Sequence, residues 1–194
     1  MTDPYVDPAT GLLRNHLGIS DPDRLKEIEA AVSAAALNAL GAERLPGSYD
    51  LDHLRAFHRR IFGRLYPWAG EIRTVAIAKT DMFCLPQFIE SYANDVFHHL
   101  TMEKHLRSLS REAFVDRLTH YLAEVNAIHP FREGNGRTQR AFFGQLAREA
   151  GWTIRWRDMD PDENVTASIA ALRGDNAPLR AMLDRLVAPD LEDG

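Results

Sequence analysis

A single cysteine, Cys84, among 194 residues excludes any internal disulfide, and the expected setting is a reducing compartment, the cytoplasm. The chain also lacks a long apolar run. Its most hydrophobic stretch, "AAVSAAALNAL" at 30–40, falls well short of the ~20 residues a spanning helix needs. The opening "MTDPYVDPATGLLRN" has neither a basic nor an apolar signal region, so no membrane association is expected. Positive charge is not in excess: 23 Lys and Arg stand against 28 Asp and Glu, a net charge of -5. No global basic field favours a phosphate backbone, and no direct nucleic-acid binding is expected. Repeats, low-complexity tracts, Gly/Ser linkers, a Walker loop and a dinucleotide fingerprint are all missing. What is present, at 45% hydrophobic residues, suffices for one sizeable core.

Periodicity and caps predict an all-α chain with one short hairpin. "SDPDRLKEIEAAVSAAALNALGAE" starts a helix at Ser20 or Asp21, with Pro22 in the first turn. "DLDHLRAFHRRIFGRLYPW" spaces Leu51, Leu54, Phe57, Ile61, Phe62 and Leu65 helically as far as Pro67. In "GEIRTVAIAKTDMFCLP" the β-rich Ile72, Thr74, Val75 and Ile77, a turn at "AKTD" and then Met82 to Cys84 predict the hairpin. Helix resumes from Pro86. A central core helix capped by Ser110 carries Phe114, Leu118, Tyr121, Leu122, Val125 and Ile128 up to Pro130. The next helix runs from about Gly136 to Gly151, another opens at Asp160-Pro161-Asp162-Glu163, and "APLRAMLDRLV" is the last. The whole, 1–194, reads as one domain with an N-terminal arm at 1–19 and a tail at 188–194 expected to fray.

The connection "HPFREGNGRTQR", 129–140, concentrates chemistry. Gly134 and Gly136 free the backbone just where a helix begins, so unpaired amide donors collect at the positive end of a helix dipole, an anion site. Arg137 and Arg140, three apart, can share a face, and their forks suit phosphate oxygens. Charge-assisted hydrogen bonds contribute roughly 1.5–3 kcal/mol each, enough for the two arginines together to hold a polyphosphate. Glu133 would repel such a ligand unless a cation intervened, and Mg²⁺, which takes one or two carboxylates plus phosphate oxygens, is the natural bridge. His129 is the one side chain of the loop that exchanges a proton near neutral pH, hence the candidate base. Singly, each feature has a bland reading: a helix-capping histidine, a solvated arginine face, an ordinary glycine loop. A merely structural loop does not need four polar chemistries in twelve residues. Together they describe attack by a hydroxyl on a nucleotide phosphate.

These residues match the Fic signature, His-Pro-Phe-x-(Asp/Glu)-Gly-Asn-Gly-Arg-x-x-Arg, at every defined position. "DPYVDPATGLLRNHLGI" and "YPWAGEIRTVAIAK" also resemble the arm and hairpin of class I Fic toxins, so the likeness covers the chain to about Val187. The resemblance implies a Fic fold, a helical bundle with a hairpin flap, and an adenylyltransferase that moves AMP from ATP to a hydroxyl side chain of a target protein, releasing pyrophosphate. It implies that His129 is the base and Glu133 the Mg²⁺ ligand. The amides of Gly134, Asn135 and Gly136, with the Asn135 side chain, would cradle the α-phosphate, Arg137 and Arg140 would hold the outer phosphates, and Phe131 would pin the loop into the core. The flap, with Ile77, Ala78, Lys79 and Thr80, would lay a target segment beside the site by strand addition; Lys79 and Thr80 would touch nucleotide or target, or simply face solvent. Family members are restrained by a helix bearing (Ser/Thr)-x-x-x-Glu-(Gly/Asn). Here only Glu133 and Glu163 precede Gly or Asn, and His129 and Met159 stand four before them, so inhibition is expected in trans from a small antitoxin. Class I toxins of this look often modify type II topoisomerases, gyrase and topoisomerase IV. Alternatives are transfer of phosphate, a kinase-like branch against which the intact Gly-Asn-Gly-Arg weighs, transfer of phosphocholine, and a non-catalytic nucleotide-responsive module.

Other signals are weaker. His98, His99 and His105 complete no zinc set, and His53 and His58, five apart, read as packing residues. Trp68 reads as a core anchor. Trp152, Ile154 and Trp156 alternate as a short extended stretch covering the core, with a nucleobase platform as the sharper reading.

Overall fold

The computed structural model describes residues 3–79 and 81–190. Local chemistry starts the helices. In α1, Pro22–Ala42, the Asp21 carboxylate accepts the Arg24 N–H at 2.7 Å, and Pro22 sits where no intrahelical donor is needed. In α2, Leu51–Phe62, Asp50 caps through the His53 N–H at 2.8 Å. A 3₁₀ turn at Pro86–Phe88 leads into α3, Ile89–Met102. Ser110 caps α4, Arg111–Ile128, and α5 spans Asn135–Glu149. Asp160 caps α6, Pro161–Leu172, and α7, Ala177–Leu186, follows.

The bundle is arranged around α4, which packs against α3, α5, α6 and α7 and buries Phe114, Leu118, Tyr121, Val125 and Ile128. This is the core role its periodicity predicts. Phe142 of α5 fills the space between α2 and α3. Its ring meets Tyr49, Phe57 and Phe97 edge-on at 5.4–5.7 Å, the geometry that aromatic quadrupoles favour. α1 is different in character: it buries only Leu25, Ser33 and Leu40 and leaves most of its alanines outward.

Three boundaries depart from the sequence reading. The second helix stops at Phe62 instead of Pro67, because the Phe62 carbonyl accepts both the Leu65 and the Tyr66 N–H groups and the chain turns there. The tail does not fray from 188: β2, Val187–Pro189, pairs antiparallel with β1, Trp152–Ile154, and the Thr153 hydroxyl reaches Asp190 at 2.5 Å. Residues 191–194 lie outside the described residues. The expected hairpin is reduced to one antiparallel bridge, Ala78 to Met82, with the Phe83 N–H on the Ile77 carbonyl at 3.3 Å. Its legs bond elsewhere: the Arg73 N–H to the Pro130 carbonyl, the Thr74 N–H to the Tyr5 hydroxyl and the Cys84 N–H to the Ala127 carbonyl. Thr80 lies outside the described residues.

Removing the ring that joins α2, α3 and α5 tests this account. Phe142→Ala should cost about 3–5 kcal/mol of folding free energy in urea titrations. A loss below about 1 kcal/mol would place the core elsewhere.

Candidate active site

The loop from α4 to α5 reverses the chain in six residues. Proline at 130 disfavours helix at the residue before it, and His129 ends α4 in the left-handed region, φ 46° and ψ 61°, with its N–H still on the Val125 carbonyl. The second reversal is at Gly134, φ 79°. A Cβ there would stand 2.3 Å from the Phe62 ring, so glycine is required twice over, by conformation and by space.

Internal bonds hold this loop. Phe131, 1% exposed, stacks on His58 with ring centroids 3.9 Å apart, the anchor the resemblance implies. His58 Nδ1 accepts the Gly70 N–H at 2.8 Å and Nε2 lies 2.9 Å from the Glu133 carbonyl, so the proton is on Nε2. The Asn135 side chain accepts the Phe131 N–H at 2.9 Å and donates to the Phe131 carbonyl at 2.8 Å. The Asn135 side chain thus staples the loop through its oxygen and one N–H. Arg132 pairs with Asp3 at 2.7 Å and ties the arm to the loop.

His129 is buried, its ring stacked on Phe83 with centroids 3.8 Å apart. Nδ1 stands 3.2 Å from the Asn126 carbonyl. A carbonyl can only accept, so Nδ1 carries the proton and Nε2 keeps its lone pair. Burial pushes the imidazole down to about 3, the Asn126 bond opposing and the charges of Lys79 and Arg73 adding to the effect. The result is a neutral base at ordinary pH. His58 is likewise pushed down to about 4, chiefly by burial.

At the start of α5, the N–H groups of Asn135, Gly136 and Arg137 have no acceptor among the described residues; the first N–H to be satisfied within the helix is that of Thr138, on the Gly134 carbonyl. Glu133 accepts the Gly134 N–H on one oxygen at 2.8 Å, and that oxygen lies 3.6 Å from Arg137. The two arginines diverge, against the expectation of a shared face. Arg137 turns to α1, donating to Glu29 at 2.5 Å and to Ser33 at 3.0 Å, with its guanidinium 4.7 Å above the Phe62 ring. Arg140 makes no hydrogen bond or ion pair among the described residues, and burial, then the charge of Arg137, draws its pKa below the usual arginine range. It is a desolvated cation awaiting an anion.

Two clefts meet here. A mainly apolar one of about 190 Å³ is lined by Leu122, Trp156, Val165, Ile169 and Arg140; a polar one by Ala76 to Lys79, Arg132 and Glu133. Lys79, Phe83, His129 and Gly136 border both. Ile77, Ala78 and Lys79 line the polar cleft, and Asp81, paired with Arg173 at 2.9 Å, joins the flap turn to the end of α6. Sequence reasoning missed His58, Arg73, Glu29 and the α6 wall. Arg73 alone left a trace, as a lone cation within a β-rich run.

The chain matches the Fic/DOC family model over residues 48–147. It is 44% identical over 184 residues to protein adenylyltransferase VbhT of Bartonella schoenbuchensis, a match covering 94% of this chain but 38% of that protein. It is 41% identical to probable protein adenylyltransferase y4lH of Sinorhizobium fredii, covering 95% of this chain and 96% of the relative. Among solved structures, the Bartonella quintana N-terminal Fic domain with bound ADP superposes with a TM-score of 0.88 at 27% identity, covering 95% of this chain and 94% of that one. The BepC protein of Bartonella tribocorum with bound AMPPNP has the same fold, with a TM-score of 0.88 at 24% identity, covering 96% and 97% of the two chains.

The buried imidazoles give the site a pH signature. Unfolded histidines titrate near 6.5, so between about pH 6.5 and pH 4 the unfolded state binds more protons than the folded one, and stability falls as pH falls through that window. Nitrogen NMR from pH 8 to pH 5 should find both rings neutral, His129 protonated on Nδ1 and His58 on Nε2. Protonation of either ring above about pH 6, its ordinary range, would contradict the geometry.

Proposed function

The chain belongs to the Fic/DOC family, and from that premise we propose that it is a protein adenylyltransferase, moving AMP from ATP to a hydroxyl side chain of a target protein. The observation that carries the reading is the neutral His129, its Nε2 free, bordering the same clefts as the open N-terminus of α5. The apolar cleft takes the nucleoside. The free N–H groups of Asn135, Gly136 and Arg137 receive the α-phosphate, and Arg140 the outer phosphates. Arg137, already held by Glu29, supports this cradle from behind. The target's hydroxyl oxygen attacks the α-phosphorus as His129 Nε2 takes its proton. The bond from phosphorus to the bridging oxygen breaks, and pyrophosphate leaves with that electron pair.

Glu133 would hold Mg²⁺. The residues fit an ion that takes one carboxylate and fills its shell with phosphate and water. Glu133 is 45% exposed and its second oxygen has no partner among the described residues, which include no group of three metal-binding side chains. Bound there, the ion offsets charge on the phosphates.

The flap backbone at Ala76 to Ala78 offers an edge to an extended target segment. We read 1–194 as one Fic domain, since α1 and α6 supply Glu29 and the cleft wall from outside the matched region. No helix among the described residues is long and apolar enough to cross a membrane, and we place the protein in the cytoplasm.

The same reading makes it the toxin of a toxin–antitoxin pair, with type II topoisomerases as the candidate targets. A groove lined by Leu37, Leu40, Ile154, Arg137, Arg140 and Arg148 suits an antitoxin helix with one apolar and one acidic face. Its glutamate would meet Arg140, the unpaired cation, and exclude the outermost phosphate.

Intact-mass measurement of target protein after incubation with ATP and Mg²⁺ should find a gain of AMP. A gain of phosphate or phosphocholine, or none, would replace this reading. His129→Ala should slow transfer by about 10²–10⁴-fold, and unchanged turnover would remove it as the base. Glu133→Ala should weaken the Mg²⁺ dependence of the rate. A helical peptide carrying the (Ser/Thr)-x-x-x-Glu-(Gly/Asn) pattern should inhibit the chain but not its Leu37→Asp variant; equal inhibition of both would move the antitoxin off this groove.

A further inference from the structure

Arg73 is 1% exposed, and its guanidinium contacts only carbonyl oxygens. Nε donates to His129 at 2.8 Å, Nη1 to Val75 at 2.7 Å, and Nη2 to Cys84 at 2.5 Å and Ile128 at 3.3 Å. Its own N–H goes to the Pro130 carbonyl at 2.9 Å. Among the described residues it forms no ion pair. Burying a cation without a carboxylate is costly, and for mere filling an apolar side chain would serve better. What compensates it here is the end of α4, where Ile128 is the last helical residue and His129 the cap, so two of its acceptors lie at the negative pole of the helix.

The four acceptors belong to three separate stretches. Val75 is on the outgoing leg of the flap, Cys84 on the returning leg, and Ile128 with His129 at the catalytic turn. The returning leg has a second rivet in the Cys84 N–H on the Ala127 carbonyl at 3.0 Å. Next to Cys84 is Phe83, the ring on which the His129 imidazole lies. One planar fork thus sets both the backbone that carries the imidazole and the strand that carries its stacking partner. A lysine offers a single point charge on a flexible stem and cannot reproduce that planar spread.

We propose that Arg73 is a positioning residue that locks the target-holding flap to the catalytic base, so that the His129 ring is presented in one orientation and one tautomer only when the flap legs are in place. The assignment of flap and base rests on the adenylyltransferase reading, whereas the mechanical coupling does not. The arms of the test separate the two.

The full-length chain and its Arg73→Lys variant are compared by nitrogen and proton NMR of the histidine rings, by Mg·ATP affinity in calorimetry, and by labelling of protein acceptors in a bacterial lysate with ATP radiolabelled at the α-phosphate. The variant should keep the His58 signals, which report an intact loop anchor away from Arg73, and most of its Mg·ATP affinity, since the amides and the Arg140 side chain that would receive the phosphates belong to α5, although Lys79 and Phe83 of the flap border the same cleft. It should lose the single Nδ1–H tautomer of His129 and the ring-current shift imposed by Phe83, and it should label acceptors about 10²-fold more slowly, the scale expected for a misplaced catalytic group. Unchanged His129 signals in a folded variant would overturn the proposal. So would slower labelling explained wholly by weaker ATP binding. If the NMR changes appear while neither protein labels anything, the coupling stands and the adenylyltransferase reading fails. Should the lysine variant not fold, hydrogen exchange of the wild-type chain decides. The Arg73 and Cys84 amides, one on the loop and one on Ala127, must then open as a unit across denaturant concentrations, and independent opening would overturn the coupling.

Discussion

The rest of the site depends on one backbone reversal between α4 and α5, completed in six residues with a left-handed histidine at one end and a left-handed glycine at the other. Such a turn leaves carbonyls and amides that no helix or sheet can satisfy, and buried polar backbone must be paired. The molecule pairs them with side chains brought from a distance. Arg73 takes the carbonyls of Ile128 and His129, His58 takes that of Glu133, and Asn135 takes both backbone groups of Phe131. The amides of Asn135, Gly136 and Arg137 are left without partners among the described residues, and Asn135 and Gly136 line the polar cleft. Much of the loop backbone is thus paired, while a run of amides at the start of α5 is left open, an arrangement pre-organised for an anion.

Charge follows the same division. Although the chain is acidic overall, the signature contributes two arginines with different fates. Arg137 lies between Glu29, Ser33, Glu133 and the face of Phe62, so its charge is largely spent on holding α1 against α5. Arg140, desolvated and without a partner among the described residues, retains its charge for a ligand. A desolvated cation binds an anion far more strongly than a surface one. It follows that the cleft and the groove behind it compete for a single guanidinium, since Arg140 borders both. On the proposed reading, a nucleotide on one side and an acidic helix on the other would need no long-range signal to exclude each other.

The parts of this structure legible in the sequence are those set by neighbours in the chain. Asp21, Ser110 and Asp160 are caps because each side chain reaches an N–H three residues on, and α4 is the core helix because its apolar residues recur every three or four positions and are buried. The signature loop was legible too, as a set of residue types whose coincidence has a chemical reason. Illegible were the interactions between distant segments. His58 meets Glu133 across 75 positions and Arg137 meets Glu29 across 108, so spacing along one helix could not reveal the first and misjudged the second. The hairpin is shorter than the sequence suggests for the same cause. Its β-branched residues favour extended backbone, but pairing is a tertiary matter, and here the arm and the end of α4 outbid the opposite leg. At the tail, composition suggested fraying, yet β1 offered an edge that only the folded chain assembles.

The last step concerns why a flap should be fastened to the loop it covers. On the proposed reading an acceptor hydroxyl would arrive on another protein with its position set by the flap, whereas the proton acceptor would be set by α4. If these two frames moved independently, each fluctuation would change the distance between oxygen and imidazole, and proximity is where much of a rate enhancement resides. Arg73 makes the frames share a single rigid fork, and Phe83 makes them share a stacked ring. The nucleotide needs no such link, because the amides that receive it begin α5, which packs directly on α4. On this view the buried, carboxylate-free guanidinium is retained for registration between two binding frames, and its desolvation is the cost of making target and base arrive together.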